Sequence, residues 1–186
     1  GTDYGGVYKS TDLGTSWAFC GLPYVSVYSL ILTQQGMLLA GTDGDGVFRS
    51  TDQGNSFVSS GLDNLVVHSF TCTSAGEVLA GTDGQGVFRT TDEGESWIES
   101  NAGLTQMRVR VLVCEPISGD VYAGTWFGGL LRSTNGGHSW LTTANQNAEV
   151  GSIAVDASAN VLATINGRIH LSNDQGATWT PLEVPW

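Results

Sequence analysis

One phrase recurs along this chain and limits what it can fold into more than any other feature. Ser/Thr-x-Asp-x-Gly-x-Ser/Thr-Trp appears as STDLGTSW (Ser10 to Trp17), STDQGNSF (Ser50 to Phe57), TTDEGESW (Thr90 to Trp97), STNGGHSW (Ser133 to Trp140) and SNDQGATW (Ser172 to Trp179). Its acid position moves from Asp12 to Asp52, Asp92, Asn135 and Asp174, in steps of 40, 40, 43 and 39 residues. A fixed period of this length marks a repeat architecture, in which each unit is too small to bury its own faces and relies on its neighbours.

Each unit carries about four short strand signals separated by turn residues. In the second unit these are VSVYSLILT, MLLAGTD, GVFRSTD and NSFVSSG, parted by QQG, DGDG and DQGN. Four antiparallel strands in roughly 40 residues is the size of a β-propeller blade. The fold class expected is all-β: a propeller of four-stranded antiparallel blades in a single domain, residues 1-186. The repeats are 1-24, 25-63, 64-105, 106-147 and 148-186.

The box falls on the hairpin between the third and fourth strands. An Asp there can accept backbone N–H groups about two residues on, and the Gly two places later suits a positive φ. The leading Ser or Thr can satisfy a local backbone group. The aromatic residue (Trp17, Phe57, Trp97, Trp140 or Trp179) can lie back over its own hairpin. Asn135 makes the same turn as Asp, and Phe57 keeps the packing without the indole donor.

These five boxes resemble the Asp-box (BNR) repeats of the propeller superfamily that includes sialidases, sortilin-type receptors, some glycoside hydrolases and photosystem II assembly factors. The phrase GTDGDGVFRSTDQGNS, from Gly41, is similar to the blade signature of that superfamily. The resemblance spans essentially the whole chain. It implies a propeller and no particular activity, since the boxes of such proteins lie at the periphery.

Only nine residues precede the first box, so the expectation is four full blades and an N-terminal half blade. Three arrangements are open: part of a larger ring, a five-bladed ring with one thin blade, or a ring completed by another copy through the incomplete N-terminal blade. A chain that begins at Gly1 is expected to be processed or a piece of a longer one.

Composition narrows the partners. Seven basic residues against eighteen acidic ones give a formal net charge of −11, which repels nucleic acid and anionic membranes. No apolar run approaches the ~18 residues of a membrane span. The three cysteines, Cys20, Cys72 and Cys114, read as buried free thiols, because the slot of Cys72 and Cys114 accepts Leu32 and Val155 elsewhere. No cofactor and no metal is expected. Asp43, Asp45 and Asp83 sit in D-G-x-G turns that need no cation.

Candidate ligand residues are those that break the repeat. The loops between second and third strands read DYGG, DGDG, DGQG and WFGG, then Asn166-Gly167. Trp126 and Phe127 therefore replace the Asp43-type and Asp83-type residues of sibling loops, and aromatic faces suit sugars or flat apolar ligands. The first-strand position held by Tyr28, His68, Arg110 and Gly151 varies most. Arg108 and Arg110 lie outside the slot of Lys9, Arg49, Arg89 and Arg132, which reads as surface pairing with nearby acids. His138 and His170 read as structural or surface residues.

Catalysis finds little support. The Arg-Ile-Pro segment of sialidases is missing, and Glu115, Glu149 and Asp156 read as solvated loop acids, not a glycosidase pair. The expected function is non-catalytic: a binding or scaffolding module of an extracellular, periplasmic or surface protein, with a protein or glycan ligand on its loop face. The alternative is a carbohydrate-binding, lectin-like propeller or part of a glycoside hydrolase.

Overall fold

A computed structural model describes residues 1–144 and 147–183. The ends of the fourth and fifth repeats therefore lie partly outside the described residues. Among the described residues, eighteen strands form five antiparallel sheets, each a simple meander. The first sheet has two strands, β1 (Val7–Lys9) and β2 (Ala18–Gly21). The second has β3 (Val27–Leu32), β4 (Leu38–Thr42), β5 (Val47–Ser50) and β6 (Val58–Ser59). The third has β7 (Val67–Cys72), β8 (Val78–Thr82), β9 (Val87–Thr90) and β10 (Ile98–Glu99). The fourth has β11 (Val109–Cys114), β12 (Val121–Thr125), β13 (Leu130–Ser133) and β14 (Leu141–Ala144). The fifth has β15 (Val150–Val155), β16 (Val161–Ile165), β17 (Arg168–Ser172) and β18 (Thr180–Pro181).

The sheets approach one another along their first strands: β3 against β7, β7 against β11, and β11 against β15. They radiate from that row as the blades of a propeller, four of them four-stranded and the first two-stranded.

The core is correspondingly divided into layers between neighbouring sheets. Leu39 and Val47 meet Val67, Phe70 and Val78; Leu79 and Val87 meet Val109, Leu112 and Leu131; Tyr122 and Leu130 meet Val150, Ile153 and Val161. Both faces of a middle blade are covered, which is why β8 and β12 are buried throughout instead of alternating. The layer under the first blade is thinner, built on Val7, Val27 and Ala40. Leu30 is 36% exposed there, whereas its counterparts Phe70, Leu112 and Ile153 are 8%, 4% and 8% exposed.

The boxes form a repeated turn. In the third blade the Asp92 carboxylate accepts the Ser96 N–H at 2.9 Å, the Ser96 hydroxyl at 2.6 Å and the Thr90 hydroxyl at 2.7 Å. The Gly94 N–H donates to Thr90 Oγ1 at 3.0 Å. Asp12, Asp52 and Asp174 repeat this pattern, and Asn135 supplies the same Oδ1 while its amide donates to Ser139. The carboxylate thus reaches four residues ahead, farther than an Asx turn. These bonds hold Asp12, Asp52, Asp92 and Asp174 down at about 2, the hydroxyl of Ser16, Ser56, Ser96 or Thr178 contributing most.

The aromatic residue does not always cover its own hairpin. Trp17 and Trp179 do, donating to Gly14 and Gly176. Trp97 and Trp140 instead reach the preceding blade and donate to the Ser60 and Ser100 carbonyls, each at 2.8 Å. The Ser60 and Ser100 hydroxyls return a bond to the Gly94 and Gly137 carbonyls. Phe57 has no donor and lies against Gly21 of the first blade. The box is therefore a latch between blades as well as a hairpin turn.

Candidate functional site

Each full blade carries an irregularity at the same place on its first strand. Val27 pairs with Thr42 and Ser29 with Gly41, so Tyr28 is left over. The same step falls at His68, Arg110 and Gly151. A bulge of this kind frees one residue from the ladder and re-aims its side chain. The four positions that vary most among the repeats are thus the four bulge residues. Small residues face them: a Cβ on Gly81 would meet Ser69 Oγ at 2.8 Å and Val109 Cγ1 at 2.9 Å, and one on Gly124 would meet Val111 and Val150.

The bulges bring side chains of different blades together. The Tyr28 and His68 rings stack, with centroids 5.4 Å apart and planes 14° from parallel. Asp43 lies against the Tyr28 hydroxyl and raises its pKa, by hydrogen bonding first and then by burial and charge. Asp83 stands 3.8 Å from His68 Nε2 and 3.1 Å from Arg108 Nε. His68 Nε2 is a buried atom with no hydrogen-bond partner among the described residues. Burial lowers the His68 pKa, Asp83 opposes that shift, and Arg110 adds to it, so the imidazole is neutral at pH 7.

Arg110 spreads its guanidinium over the Trp126 ring, 3.7 Å from the centroid. Phe127 meets Trp126 edge-on at 5.4 Å and is 52% exposed. Trp126 is held in turn by its backbone N–H, which donates to the Arg108 carbonyl. The sequence-derived candidates therefore form one strip along neighbouring first strands, Tyr28 to His68 to Arg110 to Trp126 to Phe127, with Asp43 against Tyr28 and Asp83 against His68 and Arg108. Trp126 presents one face to Arg110, so the open aromatic surface expected of the pair rests on Phe127.

Two neighbours of the strip had a weaker signal in the sequence. Arg108 secures Asp83. Tyr4, 71% exposed, occupies the loop position of Phe127 in the first blade and lies close enough to perturb the Tyr28 hydroxyl. Both have positive φ, 53° at Tyr4 and 64° at Phe127, where siblings have Gly44 and Gly84. The DYGG loop departs from DGDG as WFGG does, and that was the available signal.

Other candidates prove structural. Glu115 was expected in solvated loop and is instead 1% exposed. Its carboxylate accepts the Ile117 and Ser118 N–H groups and the Ser118 hydroxyl. Burial works against that charge, and these donors outweigh it to leave the pKa lowered. Asp156 is exposed and caps a turn through Ser158 and Asn160. Among the repeated cations, Arg49 pairs with Glu95, Arg89 with Glu77 and Arg132 with the buried Asp120, while Lys9 donates to the Gln53 carbonyl. The three thiols are free but only partly buried, a correction to the reading of Cys72 and Cys114 as fully interior. His138 lies in a box turn with its ring half exposed, and His170 is on β17.

No protein-family model matches this chain, and no curated protein does. Solved structures do. An ancestral GH74 enzyme superimposes with a TM-score of 0.81 at 21% identity over 97% of this chain and 28% of its own. The extracellular domain of a hybrid two-component system from B. thetaiotaomicron gives 0.81 at 19% identity, over 98% and 26%. YCF48 from Cyanidioschyzon merolae gives 0.71 at 14% identity, over 92% and 61%. These likenesses establish the propeller fold. The chain spans between about a quarter and three-fifths of the length of these structures.

Proposed function

We propose that this chain is a non-catalytic binding module that holds a protein ligand across the strip from Tyr28 to Phe127. The carrying observation is the bulge repeated at Tyr28, His68, Arg110 and Gly151. A fold that frees the same first-strand residue in every full blade, and carries a different residue there in each, has a surface whose chemistry can change without disturbing the core. Propellers of this shape include YCF48 bound to D1 peptide and a member of a nidogen/laminin complex, which supports a protein ligand. The Asp-box resemblance belongs to the same reading, with the boxes as peripheral latches and the strip as the working surface. So does an extracellular or surface address, in line with the extracellular domains among the similar structures.

Peptide display selected on the wild-type chain and counter-screened on a Tyr28→Ala, His68→Ala, Trp126→Ala variant tests the reading. Selected peptides should lose binding to the variant while its melting profile stays cooperative. Peptides that bind both forms equally would place the ligand elsewhere.

A glycan ligand is the second reading, favoured by the exposed Phe127 ring beside Trp126. A glycan array decides it: binding abolished by Phe127→Ala or Trp126→Ala supports a lectin-like role. A glycoside hydrolase would need a carboxylate pair, and Glu115 and Asp156 are already committed to turn amides. Self-association is carried by the apolar surface at the first blade, where Trp17 is 63% and Phe19 51% exposed, and by Leu32 of the second blade, 64% exposed. Light scattering after size exclusion tests it: a mass above 19.5 kDa that reverts with Trp17→Ser and Phe19→Ser supports a second copy on this face.

A further inference from the structure

The strip holds one cation that pairs with no acid among the described residues. Of the seven basic residues, Arg49, Arg89, Arg108 and Arg132 have an acid within 4.0 Å, and Lys9 donates to a carbonyl. Arg110 and Arg168 have neither among the described contacts. Arg168 is an exposed residue at the start of β17. Arg110 is different: its backbone is freed at a bulge, and its guanidinium carbon sits over Trp126, 3.7 Å from the ring centroid. A guanidinium held over an aromatic ring still carries N–H donors in a planar fork that matches a carboxylate. In a chain of formal charge −11 with eighteen acids, none among the described residues pairs with this fork.

We propose that Arg110 anchors a carboxylate of an extended peptide ligand, the neighbouring planar side chain of that ligand resting beside the Tyr28–His68 stack. This rests on the strip being the ligand surface. A peptide is favoured over an acidic sugar because Arg110 already covers a face of Trp126, the platform a pyranose ring would use. Asp43 and Asp83 do not compete for the fork: Asp43 is turned to Tyr28, and Asp83 is paired with Arg108. With Arg108 neutralised by Asp83 and His68 uncharged, Arg110 supplies the cation that a carboxylate would meet at the middle of the strip.

The test is a titration of the 15N-labelled chain with three probes: N-acetylphenylalanine, its primary amide, and glucuronate. The acid should shift the Trp126 indole and Arg110 Nε–H resonances saturably, about tenfold more tightly than the amide, the factor expected of one exposed charge-assisted bond. Arg110→Gln should erase the preference for the acid and leave the amide's weak binding; Arg168→Gln should change neither. Equal binding of acid and amide, or a preference that survives Arg110→Gln, overturns the carboxylate anchor and leaves the strip intact. Glucuronate shifting these resonances while N-acetylphenylalanine does not overturns the peptide in favour of an acidic sugar. Strip resonances silent to all three overturn both the anchor and the strip.

Discussion

The Trp140 indole donates to the Ser100 carbonyl, forty residues earlier and in the preceding blade, while the Ser100 hydroxyl donates to the Gly137 carbonyl beside Trp140's own turn. Two donors and two acceptors close a seam in both directions. The same exchange links Trp97, Ser60 and Gly94. Blade adhesion is therefore polar at the rim and apolar within.

This geometry separates tryptophans that look identical in the sequence. Trp140 is 2% exposed and Trp17 is 63% exposed. Trp140→Phe should destabilise by about 1–3 kcal/mol, since the Ser100 carbonyl loses its donor in a buried seam. Trp17→Phe should stay within about 0.5 kcal/mol, because its bond to Gly14 is open to water. Urea denaturation of the two variants checks the ordering, and equal effects would mean the latch contributes nothing.

Sequence periodicity was enough to read the blades, because turn residues and strand propensities are local. The boxes Asp12 to Asp174 announce their hairpins for the same reason. The latch was not legible: whether an indole folds over its own turn or reaches the previous blade depends on contacts forty residues apart. The bulges were half legible. Variation at Tyr28, His68 and Arg110 marked the position, but a one-residue step in register leaves no local signature in a strand. Glu115 was misread for a related reason, since an acid after a strand looks solvated until the turn that buries it is known.

Gly81 tests the seam beneath the site. It lies in regular strand conformation, so an added methyl meets only steric resistance, from Ser69 and Val109. Gly81→Ala should cost about 1–3 kcal/mol through overpacking and should disturb the Arg110 resonances, since Val109 precedes Arg110 on β11. Gly84 is the contrast. Its φ is +106° and nothing lies within 4 Å of a Cβ, so Gly84→Ala should cost about 1–2 kcal/mol from backbone strain and leave Val109 unmoved.

Acid should loosen the box turns. In the folded chain the turn's donors, the Ser16, Ser56, Ser96 and Thr178 hydroxyls foremost, hold the carboxyls of Asp12, Asp52, Asp92 and Asp174 down at about 2, below the ordinary 3.8. The unfolded chain therefore takes up protons first. The stabilisation is complete above about pH 4 and is lost as pH falls through 2. Melting temperatures between pH 5 and pH 2 should decline, and Asp52→Asn with Asp92→Asn should flatten the decline, since Asn135 already makes this turn in the fourth blade. Asp92→Ala removes the acceptor altogether and should cost about 1–3 kcal/mol at neutral pH.

Tyr122 offers a test in the opposite direction. Its ring is fully buried between the fourth and fifth blades, and its hydroxyl has no hydrogen-bond partner among the described residues. Burial pushes its pKa up to about 12. The same slot holds Leu39, Leu79 and Leu162 in the other full blades, so the position asks for apolar bulk and not for a phenol. Tyr122→Phe keeps the ring against Val150 and Ile153 and removes the stranded hydroxyl. It should raise stability by about 1 kcal/mol, the lower end of the penalty for a buried unsatisfied group. Tyr122→Ala should lower it by about 3–5 kcal/mol, as large core truncations do. Chemical denaturation of both variants measures the pair. A Phe variant less stable than the parent would mean that the hydroxyl is bonded in solution, and that this layer between blades carries a polar contact.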